Sequence, residues 1–415
     1  MKVVVVGAGI VGLACGYELV QDGHDVVVLD AARPGAAASH GNAAKIAIAE
    51  VMPVPGPGMV VQGLKWMLRS DSPLYIRPTL SPSFVRFMLG MARNCTESRF
   101  RRGLELHLEL AQSANGYLDQ WQANGLHFQM HSRGTLLAYE NEAHYLNRVK
   151  YQEVFDRYGA TAELLDANAV HAHEPALSDR IEYGLYFAGD RQVEPDSLVG
   201  ALTEHIRKAG GQVVERSEVI GFEHAHGRVS AIRATTGAHP CDALVLAAGV
   251  HTGRLSAQLG VPLPIRAGKG YSVDYTPPPI QLRTSLTLED AYVAITPLDG
   301  MIRIGGTMEF GRPDTTINQK RVTAVSRAAA EGLRDWDPDA PHITPWAGLR
   351  PITPDGLPII GRLEPGGNVL VASGHGMLGL ALAATTGRII RDSVRTDAAD
   401  DPRLSPRRFR SGRQR

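Results

Sequence analysis

Three glycines, Gly7, Gly9 and Gly12, follow a short run of β-branched residues and open a stretch with helical character. A second apolar run then ends at Asp30, 18 residues after Gly12. The order of strand, glycine turn, helix, strand and acid is typical of sites that bind an ADP-containing cofactor. Gly7 permits the turn, Gly9 lets a pyrophosphate approach the backbone, and Gly12 lets the helix pack closely on the strand.

The helix that begins after Gly9 offers its free N–H groups to the phosphates, so Ile10 and Val11 are predicted cofactor contacts. Asp30 is placed to accept hydrogen bonds from ribose hydroxyls, with Ala31 beside it. This pattern alone does not separate FAD from NAD.

A second glycine loop stands near the other end of the chain, where an apolar strand precedes Gly374, His375, Gly376, Met377 and Leu378. A helix follows through about Arg395, but no later strand ends in an acid, which argues against a second dinucleotide site. We therefore predict one split nucleotide domain whose last helix points at the far end of the same cofactor. A flavin is long enough to need both ends held, and its reduced ring would be stabilised by a helix N-terminus. The predicted cofactor is FAD.

Small residues dominate the segment after Asp30, as expected where backbone runs against a flat ligand. Predicted cofactor contacts in it are Ser39, His40, Gly41, Asn42 and Ala43. Further contacts are predicted in or beside later strand segments, at Val219, Ala248, Gly249 and Gly348, although tight packing alone would also explain the small residues there.

The predicted fold is α/β, with a split Rossmann-like FAD-binding domain interleaved with an α+β substrate domain. The FAD-binding domain is assigned to residues 1–75, 185–260 and 345–400, and the substrate domain to 76–184 and 261–344. Residues from about Leu64 to Tyr158 are predicted to form a helical cap, and runs within 265–310 an antiparallel sheet. Residues 401–415 are predicted to be a disordered basic tail.

The composition limits the partners of this chain. Its 415 residues contain 43 Lys+Arg and 43 Asp+Glu, a balance that argues against a general nucleic-acid binder. Cys15, Cys95 and Cys241 are too far apart for a disulfide framework or a metal knuckle, so no metal site is predicted. No run of about 18 apolar residues predicts a membrane span. Five arginines among the last nine residues leave weak contact with an anionic membrane surface open.

With these motifs, the chain resembles the D-amino acid dehydrogenases within the D-amino acid oxidase-like flavoproteins. The likeness includes the segment 38–43, the segments 63–68 and 269–272, the run Trp346–Gly356 and the loop 374–379, with Ala44 replacing a usual glycine. The resemblance implies noncovalent FAD and oxidation of a D-amino acid to an imino acid, which hydrolyses to a 2-oxo acid and ammonia. It also implies that electrons pass to a quinone or another respiratory acceptor, at the cytoplasmic face of a bacterial membrane.

Three residues are predicted to contact the substrate. Arg350 is expected to bind its carboxylate, because a planar, forked guanidinium matches a carboxylate as lysine cannot. Tyr271 is expected to donate its hydroxyl to the same carboxylate, and His375 to hydrogen-bond the flavin or shape the pocket. A general-base role for His40 is the weaker alternative, since an amine bound in its neutral form can lose hydride directly.

Pro297 occupies a position where similar enzymes often carry arginine, so a second carboxylate-binding arginine is missing or comes from elsewhere. A ring-bearing or secondary amino acid, such as a D-proline derivative, therefore remains an alternative substrate. Two other functions remain open: a glycine- or sarcosine-type amine oxidase that uses oxygen, and a flavin-binding electron-transfer subunit without substrate chemistry.

Overall fold

A computed structural model describes residues 1–66, 74–77, 81–396 and 400–409, with the backbone alone for residues 64–66. It confirms the predicted α/β fold. The strands in chain order are β1 (Lys2–Val6), β2 (Asp25–Leu29), β3 (Lys45–Ile46), β4 (Leu74–Ile76), β5 (Met130–His131), β6 (Thr135–Tyr139), β7 (Glu163–Leu165), β8 (Tyr183–Phe187), β9 (Arg191–Val193), β10 (Gln212–Val214), β11 (Val219–Ala225), β12 (Arg228–Ala234), β13 (Gly237–Pro240), β14 (Ala243–Leu246), β15 (Arg266–Tyr275), β16 (Ser285–Leu288), β17 (Val293–Leu298), β18 (Met301–Phe310), β19 (Trp346–Ile352), β20 (Ile359–Arg362) and β21 (Val369–Ser373).

The α-helices in chain order are α1 (Ile10–Gln21), α2 (Met59–Trp66), α3 (Pro82–Asn94), α4 (Glu97–Ala111), α5 (Ala114–Ala123), α6 (Glu142–Val149), α7 (Gln152–Asp156), α8 (Ala167–His173), α9 (Pro195–Lys208), α10 (Thr252–Gln258), α11 (Gln319–Gly332) and α12 (Gly379–Arg395). Short 3₁₀ turns occur at Ile48–Glu50, Gly249–His251 and Pro406–Phe409. Among the described residues, none of these helices combines the length and apolar character that crossing a bilayer requires.

The first sheet has six strands in the order β10-β2-β1-β14-β21-β20. Its first five strands are parallel, and β20 pairs antiparallel with β21 at the edge. The central strand β1 buries four consecutive valines, as expected for a strand covered on both faces. Strands from both ends of the chain therefore meet in one parallel sheet, the arrangement that the two glycine loops predict.

The second sheet is larger, with eight strands in the order β19-β15-β18-β17-β16-β6-β8-β7 and β4 paired to β18. Strands β15 to β19 pair antiparallel with their neighbours in this set, which confirms the antiparallel runs predicted between residues 265 and 310. Helix α11 packs against strands β15, β17 and β18 of this sheet. Two small three-stranded sheets, β11-β12-β13 and β3-β9-β5, complete the strand pairing.

Helices α1 and α12, which follow the two glycine loops, pack against each other at close range. A Cβ atom placed on Gly387 of α12 would lie 2.7 Å from the carbonyl oxygen of Ala14, so only glycine allows this approach. Nearby, Arg391 Nη1 donates to the buried carboxylate of Glu18 at 2.8 Å. The two helices are thus fixed together by backbone packing and by a buried ion pair.

The predicted helical cap is interrupted by three strands, β4, β5 and β6, of which β6 is the longest. Residues 135–139 form β6, which lies between β16 and β8 and is buried at all five positions. A short, continuously apolar run does not show whether the segment is a buried helix or a buried strand. Its pairing with two neighbouring strands makes it a strand. Strand β19 pairs with β15 in the larger sheet, although residues 345–400 are assigned above to the FAD-binding domain. The division of the chain into domains stays a prediction.

The prediction of disorder for the tail is wrong for residues 401–409, which pack on the protein. Leu404 is 2% exposed, and Ile360 donates its backbone N–H to the carbonyl of Leu404 at 3.0 Å. Arg408 pairs with Asp355 at 2.7 Å and Arg403 with Glu109 at 2.7 Å. Composition suggested a solvated segment, but a buried leucine and two ion pairs hold it in place. Residues 410–415 lie outside the described residues.

The packing of the tail predicts that Leu404→Ala lowers the free energy of unfolding by about 2–4 kcal/mol, because a buried leucine is replaced by a cavity. Leu164→Ala is the matched control: this leucine is 50% exposed, so its loss should change the stability by less than about 0.5 kcal/mol. Thermal or chemical denaturation measures both. Equal stability of the two variants would mean that the tail does not pack.

Candidate active site

A cavity of about 1800 Å³ lies between the two sheets. This volume exceeds the roughly 300–1000 Å³ of a usual small-molecule pocket, so the cavity has room for a dinucleotide and a second ligand. All the predicted site residues border it except Gly12, His40 and Gly374. Gly12 and Gly374 lie behind the cavity wall, where they contact other parts of the protein.

The first glycine loop has the geometry that a pyrophosphate needs. Gly7 has φ 109°, a left-handed conformation that favours glycine. A Cβ atom on Gly12 would lie 1.9 Å from the carbonyl oxygen of Gly7, so the helix packs on the turn as predicted. Ser39 Oγ accepts a hydrogen bond from the backbone N–H of Ile10 at 2.9 Å, which holds the following segment against the helix N-terminus.

Asp30 lies at the end of β2 and orders the turn around it. Its carboxylate accepts hydrogen bonds from the backbone N–H groups of Ala8 at 2.7 Å and Ala32 at 2.8 Å. Burial raises the pKa of Asp30, and these backbone donors oppose that shift. The carboxylate therefore connects the glycine loop to the second strand, and it borders the cavity where a ribose would lie.

The second glycine loop meets the first at the cavity. A Cβ atom on Gly379, the first residue of α12, would lie 3.9 Å from the Val11 side chain, so the two helix N-termini are neighbours. Gly374 and Gly376 have φ values of 77° and 57°. A Cβ atom on Gly374 would approach the Thr353 side chain to 2.7 Å, which explains the glycine without a contact to the cofactor.

The segment from Ser39 to Ala44 is anchored to the larger sheet by Arg303. This buried arginine pairs with Asp274 through two hydrogen bonds of 2.7 and 2.8 Å. It also donates to the carbonyl oxygens of His40 and Asn42, both at 3.1 Å. Ala44, which replaces the family's usual glycine, has φ 56°, so an alanine occupies a conformation that disfavours side chains.

Arg350 enters the cavity from strand β19. Its guanidinium covers Gly270, where a Cβ atom would lie 2.2 Å from Nη1, and Nη1 donates to the carbonyl oxygen of Thr307 at 2.8 Å. Burial lowers the pKa of Arg350 to about 10, so the group stays charged at neutral pH. In the part of the chain that the structure describes, no carboxylate pairs with this arginine. A buried cation without a counter-ion is suited to bind an anionic group of a ligand.

The hydroxyl of Tyr271 does not reach the site predicted for it. It donates to Glu309 at 3.0 Å, in a cluster where Arg321 lies 3.6 Å from the same carboxylate. Tyr271 borders the cavity, but successive residues of a strand point to opposite faces, so its side chain lies on the face opposite the Arg350 guanidinium that covers Gly270. The sequence motif located the strand correctly but did not show which face the tyrosine occupies.

The two histidines differ in position. His375 borders the cavity, but its Nε2 is hydrogen-bonded to Thr386 Oγ1 at 2.9 Å, and burial lowers its pKa to about 3. It is therefore neutral and positioned by helix α12. His40 lies outside the cavity and pairs with Asp196 at 2.6 Å, which argues against a role as general base.

Tyr292 and Glu289 also border the cavity and were not singled out in the sequence. Both belong to the turn between β16 and β17. Tyr292 is 44% exposed and has φ 57°, an unusual conformation for an aromatic residue and a frequent property of functional sites. The only sequence signal was a tyrosine after two acids at a strand end.

Within the described residues, a second arginine in place of the side chain absent at Pro297 has to be sought among those that border the cavity. Among the described residues, the cavity is bordered by the arginines Arg148, Arg254 and Arg350. Arg254 pairs with Glu218 at 3.4 Å, beside the strand that carries Val219. Arg148 lies against the ring of Phe155 at 4.0 Å, and its buried Nε and Nη1 have no hydrogen-bond partner among the described residues. Of these three, Arg350 has its guanidinium directly over Gly270 on the cavity face of the larger sheet, and its role as the carboxylate-binding arginine stays a prediction.

Comparisons with known proteins agree with this geometry. Residues 2–393 match the protein family described as FAD dependent oxidoreductase (DAO). A D-amino acid dehydrogenase of Cereibacter sphaeroides is 35% identical over 409 residues, which cover 95% of this chain and 92% of that protein. Among solved structures, glycine oxidase from Geobacillus kaustophilus superposes with a TM-score of 0.76 at 24% identity, covering 99% of this chain and all of that one. The FAD-bound L-α-glycerophosphate oxidase of Mycoplasma pneumoniae superposes with a TM-score of 0.73 at 16% identity, covering 98% and 97%.

The glycine geometry predicts that Gly12→Ala weakens binding of the dinucleotide at least about tenfold, because overpacking of this kind costs about 1–3 kcal/mol and displaces the loop. Gly200→Ala is the control: it also lies in a helix, and a Cβ atom there meets nothing within 4 Å. The cofactor content of the purified variants, read from visible absorbance, is the measurement. Full occupancy in Gly12→Ala would contradict the assignment.

Proposed function

Because this chain belongs to the DAO family of FAD-dependent oxidoreductases, we propose that it oxidises a D-amino acid and passes the electrons to a quinone or another respiratory acceptor. FAD is its cofactor, and the two glycine loops and Asp30 fit that cofactor at a shared cavity. The observation that carries the substrate proposal is Arg350, a buried guanidinium that faces this cavity without a carboxylate partner among the described residues.

In this proposal Arg350 binds the substrate carboxylate through a two-pronged hydrogen bond. Thr307 accepts from one of its nitrogens and so fixes the direction of the guanidinium. Tyr292 directly precedes β17, whose first residue, Val293, pairs with Gly306 next to Thr307, and it is proposed to contact the same carboxylate in place of Tyr271. Fixing the carboxylate orients the bond between the α-carbon and its hydrogen, which is the main contribution that a protein makes to hydride transfer.

When bound, FAD supplies the two-electron acceptor of the reaction at N5 of its ring. The substrate amine must be neutral to release a hydride from the α-carbon and form the imine, and the imino acid then reacts with water to give a 2-oxo acid and ammonia. The apolar side chains of Phe84, Met88, Met308 and Phe310 border the cavity and would keep water from the reacting bond. His375 is neutral and held by Thr386, so we assign it a positioning role rather than proton transfer.

The proposed acceptor is a quinone because the cavity has an apolar rim. Val60, Val85 and Leu89 border the cavity and are 44%, 46% and 54% exposed. Exposed apolar side chains at one opening suit an apolar ligand or the surface of a membrane better than a charged protein partner. We therefore propose peripheral contact with the inner face of the cytoplasmic membrane at this rim, rather than through the arginine-rich tail.

Substitution of Arg350 tests the substrate proposal. Arg350→Ala should retain FAD but lose at least about 100-fold in kcat/KM with D-amino acids, because a charge-assisted double hydrogen bond is removed. Arg350→Lys keeps the positive charge but cannot form the double hydrogen bond, so its kcat/KM should lie between those of the wild type and Arg350→Ala. The assay is anaerobic dye reduction across a panel of D- and L-amino acids and secondary amines. Unchanged turnover in Arg350→Ala would overturn the assignment.

The acceptor is tested by comparing oxygen with a soluble ubiquinone analogue. We expect rapid reduction of the quinone and little hydrogen peroxide in air, since the rim is apolar. Strong peroxide formation with glycine, sarcosine or D-proline would instead identify an amine oxidase. If no amino acid or amine bleaches the bound flavin, the protein is an electron-transfer subunit without substrate chemistry.

A further inference from the structure

A carboxylate that borders the cavity after strand β16 is not used by the mechanism above. We propose that Glu289 binds a positive charge at the end of the substrate side chain, so that the enzyme prefers D-amino acids with basic side chains. This inference rests on the proposed function, because it assumes that Arg350 holds the substrate carboxylate.

Glu289 directly follows strand β16 and borders the cavity, as does Thr287 two residues earlier. Within the described residues its carboxylate makes no hydrogen bond or ion pair. The neighbouring acid differs: Glu50 lies 3.4 Å from Lys45 Nζ and accepts a hydrogen bond from the hydroxyl of Thr287. Glu289 is therefore the acid of this group that is open to a ligand.

Two cations lie near Glu289, and their charges lower its pKa, but neither forms a hydrogen bond or ion pair with it among the described residues. Lys45 is occupied by Glu50 and by the carbonyl oxygen of Leu286 at 2.8 Å. Arg148 donates to the carbonyl oxygen of Ala49 at 3.1 Å and is otherwise enclosed by aromatic rings.

The other charged and titratable groups around Glu289 are two acids, Glu50 and Asp290, and the phenols of Tyr139 and Tyr292. Burial and the nearby charge of Glu50 raise the pKa of Glu289 to about 7. A ligand cation would stabilise the ionised carboxylate and supply the charge that the pocket lacks.

The spacing of the two charged groups suits a long side chain. Leu288 pairs with Val293, and Val293 pairs with Gly306, so β17 alone separates β16 from the strand that contains Thr307. Two strand spacings amount to about 10 Å. Because Arg350 reaches the carbonyl oxygen of Thr307, about this distance separates its guanidinium from β16, the strand that Glu289 follows. A side chain of three or four carbons that ends in a cation spans such a gap, whereas alanine or glycine does not.

The residues of the sheet that lie between Arg350 and Glu289 are small, which leaves room for an extended substrate. The cavity-facing residues on the strands between Arg350 and Glu289 include Gly270, Gly305 and Ala294. Gly348, on the strand of Arg350, is covered by the indole of Trp346, since a Cβ atom there would lie 1.9 Å from the ring. The small residues leave a channel along the sheet that leads from the guanidinium to the carboxylate.

The experiment compares D-lysine with D-norleucine, which has a similar length and no distal charge. In the FAD-loaded wild-type protein we expect kcat/KM to favour D-lysine at least about tenfold. Glu289→Gln should lower kcat/KM for D-lysine by about 10–100-fold and that for D-norleucine by less than about threefold, because a hydrogen-bonded ion pair is removed. The preference for D-lysine should also fall as the pH drops below about 7, where Glu289 becomes protonated.

Glu142→Gln is the matched control, because it removes the same charge from an exposed position on the first turn of α6. It should leave both substrates unchanged, and flavin absorbance verifies folding of each variant. A wild-type preference for D-norleucine, or an equal loss for both substrates in Glu289→Gln, would overturn the inference. If neither amino acid is oxidised, the proposed function fails separately. In that case the dissociation constants of D-lysine and D-norleucine are measured from changes in the flavin spectrum. Tighter binding of D-lysine would support the inference, and equal affinities would refute it.

Discussion

The close packing of helix α12 on helix α1 is the constraint on which the rest of this structure depends. The two helices come from opposite ends of the chain, and each begins at a glycine loop. Because Gly387 allows backbone to approach backbone and Arg391 neutralises the buried Glu18, the two N-termini are held side by side. Their partial positive charges add at one cavity, and neither end of the chain could form that cavity alone.

A second connection sets the distance between the FAD loop and the substrate sheet. Arg303 holds the carbonyl groups of His40 and Asn42 to strand β18, and the ring of Trp346 lies over both Gly348 and Gly41. A Cβ atom on Gly41 would lie 2.3 Å from that ring. The glycines of this region are therefore not signs of flexibility. Their missing side chains leave the space that the indole of Trp346 occupies.

The charges of the protein divide into two groups. Buried charges with a structural role are paired, as Arg303 is with Asp274 and Glu18 with Arg391. At the cavity, neither Arg350 nor Glu289 forms an ion pair among the described residues, although the charges of Arg148 and Lys45 act on Glu289. An unpaired buried charge destabilises a fold, and such groups persist where they serve binding or catalysis. The contrast separates the residues that hold the enzyme together from those that we propose to meet the substrate.

The sequence by itself determined the cofactor class and the order of the main elements, and it singled out Arg350, whose role stays a proposal. These signals are local: glycines at fixed spacing, apolar runs, and an arginine within a recognisable motif. It did not determine which way Tyr271 points, that His40 pairs with Asp196, or that Leu404 anchors the tail. Nor did it show Tyr292 and Glu289 as neighbours of the site. Those features depend on strand register and on contacts between distant segments, because a shift of one residue moves a side chain to the opposite face of a sheet.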